Sequence, residues 1–152
     1  MSKKKTDLIG YCGMYCGDCP AYSQRMANLA ADLRAEFRHY RFGEQAEQIA
    51  KEPFFKEFIH YDDCYRLLGT IMKLRCTKLC KGGGGPPKCK IRICAKKKGF
   101  DGCWQCDEFT TCSKLEILKD SYGSANLRNL RKLRKHGPEE FVKGKRYWFA
   151  PK

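Results

Sequence analysis

Eleven cysteines lie within only 152 residues, and ten of them form clusters along the chain. This feature limits the possible folds because the apolar residues that usually fill a protein core are scarce. Leu, Ile, Val and Phe together make up 29 residues, and with a formal net charge of +14 the composition approaches that of disordered chains. We therefore expect cross-links, through metal ions or disulfides, to replace part of the missing core.

The spacing of the clustered cysteines favours metal binding over disulfides. We predict ten metal ligands: Cys12, Cys16, Cys19, Cys76, Cys80, Cys89, Cys94, Cys103, Cys106 and Cys112. In a Cys-x2-Cys pair two thiolates reach one ion, while the intervening backbone N–H groups bond the sulfurs. Zinc, as one or two ions, is the expected metal because it is the usual occupant of tetrahedral thiolate sites. An iron–sulfur cluster is the alternative.

The grouping of these ligands stays open at the level of sequence. One arrangement resembles a zinc ribbon, in which two cysteine pairs are separated by about 20 residues. Its ligands would be Cys76, Cys80, Cys103 and Cys106. A second site would combine the first three cysteines with one of Cys89, Cys94 or Cys112.

Two further readings of the cysteines are weaker. The chain start has no apolar segment typical of a signal peptide or membrane span, so a cytoplasmic protein with reduced thiols is expected. A secreted disulfide scaffold is therefore the lesser alternative. Cys16 and Cys19 precede a predicted helix, where a lowered thiol pKa would suit disulfide exchange, but no repeated βαβ pattern follows. We expect no catalysis.

Apolar periodicity predicts a mainly α fold around an irregular, metal-stapled segment, with at most a little β-structure. One long helix should bury the stripe Tyr22, Met26, Leu29, Leu33, Phe37 and Tyr40. Another should begin at Asp62 or Asp63 and bury Cys64, which we exclude from the metal ligands. No periodic signal is found between Cys76 and Cys112. Ser124 should cap a last helix ended by Gly137 and Pro138, after which an aromatic tail, 143–149, folds back into the core.

Positive charge is concentrated in the second half of the chain. Residues 73–98 carry ten basic and no acidic side chains. RNA, another polyanion or a protein partner could neutralise such a block, but so could thiolates bound to zinc. The candidate polyanion contacts are Lys78, Lys81, Lys88, Lys90, Arg92, Lys96, Lys97, Lys98, Arg128, Arg131, Lys132 and Lys135.

Four motifs in a fixed order resemble a known family. They cover residues 11–22 (YCGMYCGDCPAY), 89–95 (CKIRICA), 103–109 (CWQCDEF) and 127–130 (LRNL). Together they are similar to domain of unknown function 3795, from about Ile9 to Gly144. The resemblance implies a small cysteine-rich cytoplasmic prokaryotic protein whose clustered cysteines are metal ligands.

The sequence as a whole predicts one domain over residues 1–152 with three parts. Residues 9–72 form a helical part with the first cysteines, 73–112 form the metal-binding segment, and 113–152 form a basic helix and an aromatic tail. The predicted function is zinc binding combined with a basic surface for RNA or another partner, and the alternative is an iron–sulfur or thiol-based redox protein.

Overall fold

A computed structural model describes residues 4–148, and its chain divides into two compact units. The cysteine-rich unit comprises Met1–Tyr22 and Cys76–Lys152, of which 4–22 and 76–148 are described, and the helical unit comprises Ser23–Arg75. The α-helices are α1 (Pro20–Ser23), α2 (Arg25–His39), α3 (Phe42–Ile49), α4 (Tyr61–Ile71), α5 (Lys90–Lys97), α6 (Ser113–Glu116), α7 (Lys119–Tyr122) and α8 (Ala125–Lys143). Short 3-10 helices span Lys5–Leu8, Cys16–Asp18, Pro53–His60, Cys103–Gln105 and Phe109–Thr111. The predicted mainly helical fold is confirmed.

The helical unit is held together by aromatic rings. Phe37 of α2 stacks on Phe42 of α3 with ring centroids 5.5 Å apart, and it meets Tyr61 of α4 edge-on at 5.3 Å. Tyr65 lies beside the Phe37 ring, and the Arg34 guanidinium lies 4.0 Å from the centroid of the Tyr65 ring. These contacts supply the packing that aliphatic side chains provide in most helical domains.

The predicted buried faces of α2 and α4 were wrong in part. Met26, Leu29 and Leu33 are 48%, 58% and 42% exposed, whereas Ala27 and Ala30 of the same helix are buried. Cys64 is exposed, not buried, because α4 turns Tyr61 and Tyr65 inward. In this unit aromatic and alanine side chains occupy the inner face. Phe37 of the predicted stripe therefore packs inward as expected, whereas its aliphatic members do not.

The cysteine-rich unit is built from short helices and loops around one core. Ile9, Leu130 and Leu133 are almost fully buried there, with Trp104 and Phe109 beside them. A single antiparallel bridge, Ile9 to Tyr15, is the only strand-like pairing in residues 4–148. Half-buried cysteines also pack against this core: Cys12, Cys80, Cys89, Cys103, Cys106 and Cys112. The cysteines therefore form part of the wall of the core.

Helix α8 and the tail close the unit. Gly137, at φ 75°, kinks α8 before Pro138 but does not end it, contrary to prediction, and Ser124 makes no side-chain cap. Beyond the helix, Asn129 Nδ2 donates to the Tyr147 carbonyl at 2.7 Å, and the Tyr147 N–H donates to Asn129 Oδ1 at 2.9 Å. The tail therefore folds back as far as Trp148, while Phe149, the last residue predicted for it, lies outside the described residues.

Candidate metal centre

A first group of thiols surrounds the turn that follows Ile9. The Gly10 N–H donates to the Met14 carbonyl at 2.8 Å, which closes the turn containing Cys12. The 3-10 helix Cys16–Asp18 then places Cys16 beside Cys80, whose backbone lowers the pKa of the Cys16 thiol against the larger effect of burial. Burial raises the pKa of the Cys16 thiol, and the neighbouring thiols of this group add to the shift. The members of the first group are Cys16, Cys19, Cys76 and Cys80.

A second group of thiols lines a cavity of about 340 Å³. Its members are Cys94, Cys103, Cys106 and Cys112. The Cys103 N–H donates to the Tyr11 carbonyl at 2.8 Å, which fixes the start of the Cys-x2-Cys segment on the core. Burial, together with the neighbouring thiols Cys112, Cys106 and Cys94, raises the pKa of Cys103 to about 12. At neutral pH this thiol keeps its proton unless a cation replaces it.

Cys12 and Cys89 lie near both groups. Burial raises the pKa of Cys12 to about 12, and the charges of Cys80, Cys103 and Cys89 act in the same direction. The charge of Cys89 in turn raises the pKa of Cys103. All ten cysteines predicted as ligands therefore belong to the cysteine-rich unit, whereas the exposed Cys64 belongs to the helical unit.

The donor chemistry of these groups fits a thiophilic metal, but the side chains do not form a closed coordination shell. All eleven cysteines are free thiols, and thiolates bind zinc and iron–sulfur clusters well. Within residues 4–148, no group of three or more His, Cys, Asp or Glu side chains stands close enough to hold a metal ion. The structure thus collects the ligands into neighbourhoods without completing a site.

The pairing of the cysteines differs from the zinc ribbon suggested by spacing. The neighbouring thiols that raise the pKa of Cys103 most are those of Cys112, Cys106 and Cys94. Cys80 instead adjoins Cys16, and the Cys76 N–H donates to the Ala21 carbonyl at 2.8 Å beside the first group. The pair Cys76 and Cys80 therefore lies in the first group and the pair Cys103 and Cys106 in the second.

Arg92, a predicted polyanion contact, is a buried structural residue. It is 6% exposed, and its guanidinium donates to the carbonyls of Gly84 at 2.6 Å, Pro86 at 2.7 Å and Pro87 at 3.0 Å. A fourth bond, of 3.3 Å, reaches the Cys80 carbonyl. Arg92 thus holds the glycine-rich loop against α5, and its burial together with these four bonds from its two terminal nitrogens makes it a structural residue and not a surface contact for a phosphate.

Two lysines of the basic block also have partners in the protein. Lys81 lies 3.8 Å from Asp101 and within 6 Å of the rings of Tyr11 and Trp104. Lys98 donates to the Cys106 sulfur at 3.7 Å and lies 3.9 Å from Glu108, and the charge of Cys106 raises the pKa of this lysine. The remaining lysines of the block are exposed: Lys73, Lys78, Lys88, Lys90, Lys96 and Lys97.

The basic side chains of α8 form a second positive surface. The Arg128 guanidinium lies 3.7 Å from the centroid of the Tyr147 ring, and the Lys132 ammonium lies 5.3 Å from it. Arg131 and Lys135 are exposed. The ion pairs found in residues 4–148 involve none of these four residues, so the surface keeps its full positive charge.

Comparison with known families covers three of the four motifs and ends before the fourth, LRNL at 127–130, so the match is shorter than the predicted extent to Gly144. The family model described as "Protein of unknown function (DUF3795)" matches residues 8–117. The chain belongs to the DUF3795 family. The matched region of this DUF3795 protein includes all eleven cysteines and ends before α8. No curated protein matches the chain. No solved structure matches it either.

Sequence reasoning missed several features of this DUF3795 protein. Helix α5 was not predicted because Lys90–Lys97 is short and lies between loops, although its CKIRICA segment places Ile91 and Ala95 four residues apart. Asn129 anchors the tail through the Tyr147 backbone, and its position in the LRNL motif was the sequence signal for this role. Among residues 4–148, no helix is long and apolar enough to cross a bilayer.

Proposed function

We propose that this protein binds metal through the two cysteine groups and that the bound metal completes the core of the cysteine-rich unit. The observation that carries the proposal is the collection of ten thiols, from three distant parts of the sequence, around one small core. Zinc suits the first group, since a structural ion can contribute roughly 10 to 16 kcal/mol of apparent binding energy. This would offset the shortage of aliphatic residues.

Metal analysis of purified protein tests the proposal. Cys103→Ser and Cys106→Ser should each lower the metal content per chain, because a missing thiolate leaves an incomplete site. Cys64→Ala is the matched control and should leave the metal content unchanged, since Cys64 is exposed in the helical unit. Metal-free wild-type protein that is fully folded would contradict the proposal, and so would metal loss in the control alone.

We further propose that the basic surface of α8 binds a polyanion such as RNA. It is supported by four cationic side chains, Arg128, Arg131, Lys132 and Lys135, that are not neutralised by any ion pair among the described residues. Uncompensated positive charge on one helix is the electrostatic pattern of phosphate-backbone recognition.

The salt dependence of binding to single-stranded RNA tests this second proposal. The double variant Arg131→Gln/Lys135→Gln should reduce the slope of log affinity against log salt by about 1 to 2 units. Both side chains are exposed, so the fold should remain intact. The control Lys56→Gln/Lys73→Gln removes the same charge from the helical unit and should keep the slope. Equal slopes in all three proteins, or no binding at about 0.15 M salt, would exclude this surface.

A further inference from the structure

The second thiol group stands around open space. Its four cysteines line a cavity of about 340 Å³ whose other walls are mainly apolar, including Phe100, Phe109 and Leu115. The cavity belongs entirely to the cysteine-rich unit. Such a volume is comparable with pockets that hold small molecules.

This volume favours an occupant larger than one ion. A zinc ion lies about 2.3 Å from each of four sulfurs, so its ligands converge and leave no cavity between them. A four-iron cluster places several irons and inorganic sulfides between the same number of cysteine thiolates. Four thiols on the walls of a cavity are therefore better matched to a cluster than to a single ion.

The surroundings of the cavity also suit a cluster. Lys98 Nζ lies 3.7 Å from the Cys106 sulfur and donates to it, which would partly balance the negative charge of a thiolate-ligated cluster. Phe109 and Leu115 are only 4% exposed and limit the access of water to the inner wall. Hydrogen bonds to sulfur and exclusion of solvent are the two main ways in which a protein tunes such a centre.

We propose that Cys94, Cys103, Cys106 and Cys112 bind a four-iron iron–sulfur cluster in this cavity. The inference rests on the proposed metal-binding function and names the cofactor of one of its two sites. On assembly, each thiol releases its proton to solvent as its sulfur bonds to iron, and two ferrous ions, two ferric ions and four sulfides come from solution, so no electron is gained or lost. Lys98 is a positioning residue that donates to one ligand.

Anaerobic reconstitution with equal amounts of ferrous and ferric iron, together with sulfide, tests the proposal. Each chain should bind about four irons and about four acid-labile sulfides in the cavity. The double variant Cys103→Ala/Cys106→Ala should lose that amount, while Cys64→Ala should retain it. Undiminished iron and sulfide in the double variant would show that the cluster lies elsewhere. If zinc alone binds, the cluster fails but metal binding stands, and if neither metal binds, both proposals fail.

A second variant covers the case in which the double cysteine variant does not fold. Lys98→Met keeps all four ligands and removes the ammonium that donates to Cys106. The reconstituted variant should retain its iron and show a more negative midpoint potential than the wild type, because a reduced cluster loses a neighbouring positive charge. An unchanged potential would overturn the placement of a cluster beside Cys106. Lys96→Met, on the exposed side of α5, is the matched control.

Discussion

At Gly13 both the backbone conformation and the packing around it require a residue without a side chain. Its φ of +82° disfavours side chains, and a Cβ there would lie 2.8 Å from the Leu130 Cγ. We expect Gly13→Ala to lower the free energy of unfolding by about 3 kcal/mol, from strain and overpacking together. Gly85 has a φ of +72° but open space around it, so Gly85→Ala should lower the free energy of unfolding by only about 1 kcal/mol. Urea unfolding measures both, and equal losses would contradict a clash with Leu130.

Arg92 is the residue whose role changed most between sequence and structure. Arg92→Met should lower the free energy of unfolding by about 3 kcal/mol, because it removes the donors of four backbone carbonyls, some of them buried. Lys96→Met on the same helix should remain within about 0.5 kcal/mol of the wild type. Urea unfolding again provides the measurement. If Arg92→Met weakened RNA binding without loss of stability, the structural role would be wrong.

At the scale of elements, α2 shows how an aromatic inner face changes the effect of substitutions. Phe37 contacts the rings of Phe42, Tyr61 and Tyr65, so Phe37→Ala should cost about 2 kcal/mol of stability. Leu33→Ala, at a side chain that is 42% exposed, should cost less than about 1 kcal/mol. Hydrogen exchange of the α2 and α4 amides reports this difference within the helical unit. A larger loss for Leu33→Ala than for Phe37→Ala would contradict an inner face made of aromatic rings.

At the scale of the whole molecule, the two units should respond differently to metal removal. The helical unit contains only Cys64 and is packed through aromatic rings, whereas the ten other cysteines lie in the cysteine-rich unit. Chelation under reducing conditions should therefore remove hydrogen-exchange protection from α5 and α8 but leave α2 and α4 protected. Equal loss in both units would contradict this division, and unchanged protection throughout would contradict a structural role for metal.

The sequence alone determined the features that depend on neighbouring residues. Helical periodicity and cysteine spacing are local, so the mainly helical fold, the closeness of Cys103 to Cys106 and the family followed from the chain itself. The tertiary structure decided which distant segments meet. It placed Cys94 and Cys112 beside Cys103 because α5 and the segment after the Cys-x2-Cys turn pack on one core, and no spacing rule encodes that closure. It buried Arg92 because the carbonyls of a glycine-rich loop, which carry no sequence signal, converge on its guanidinium.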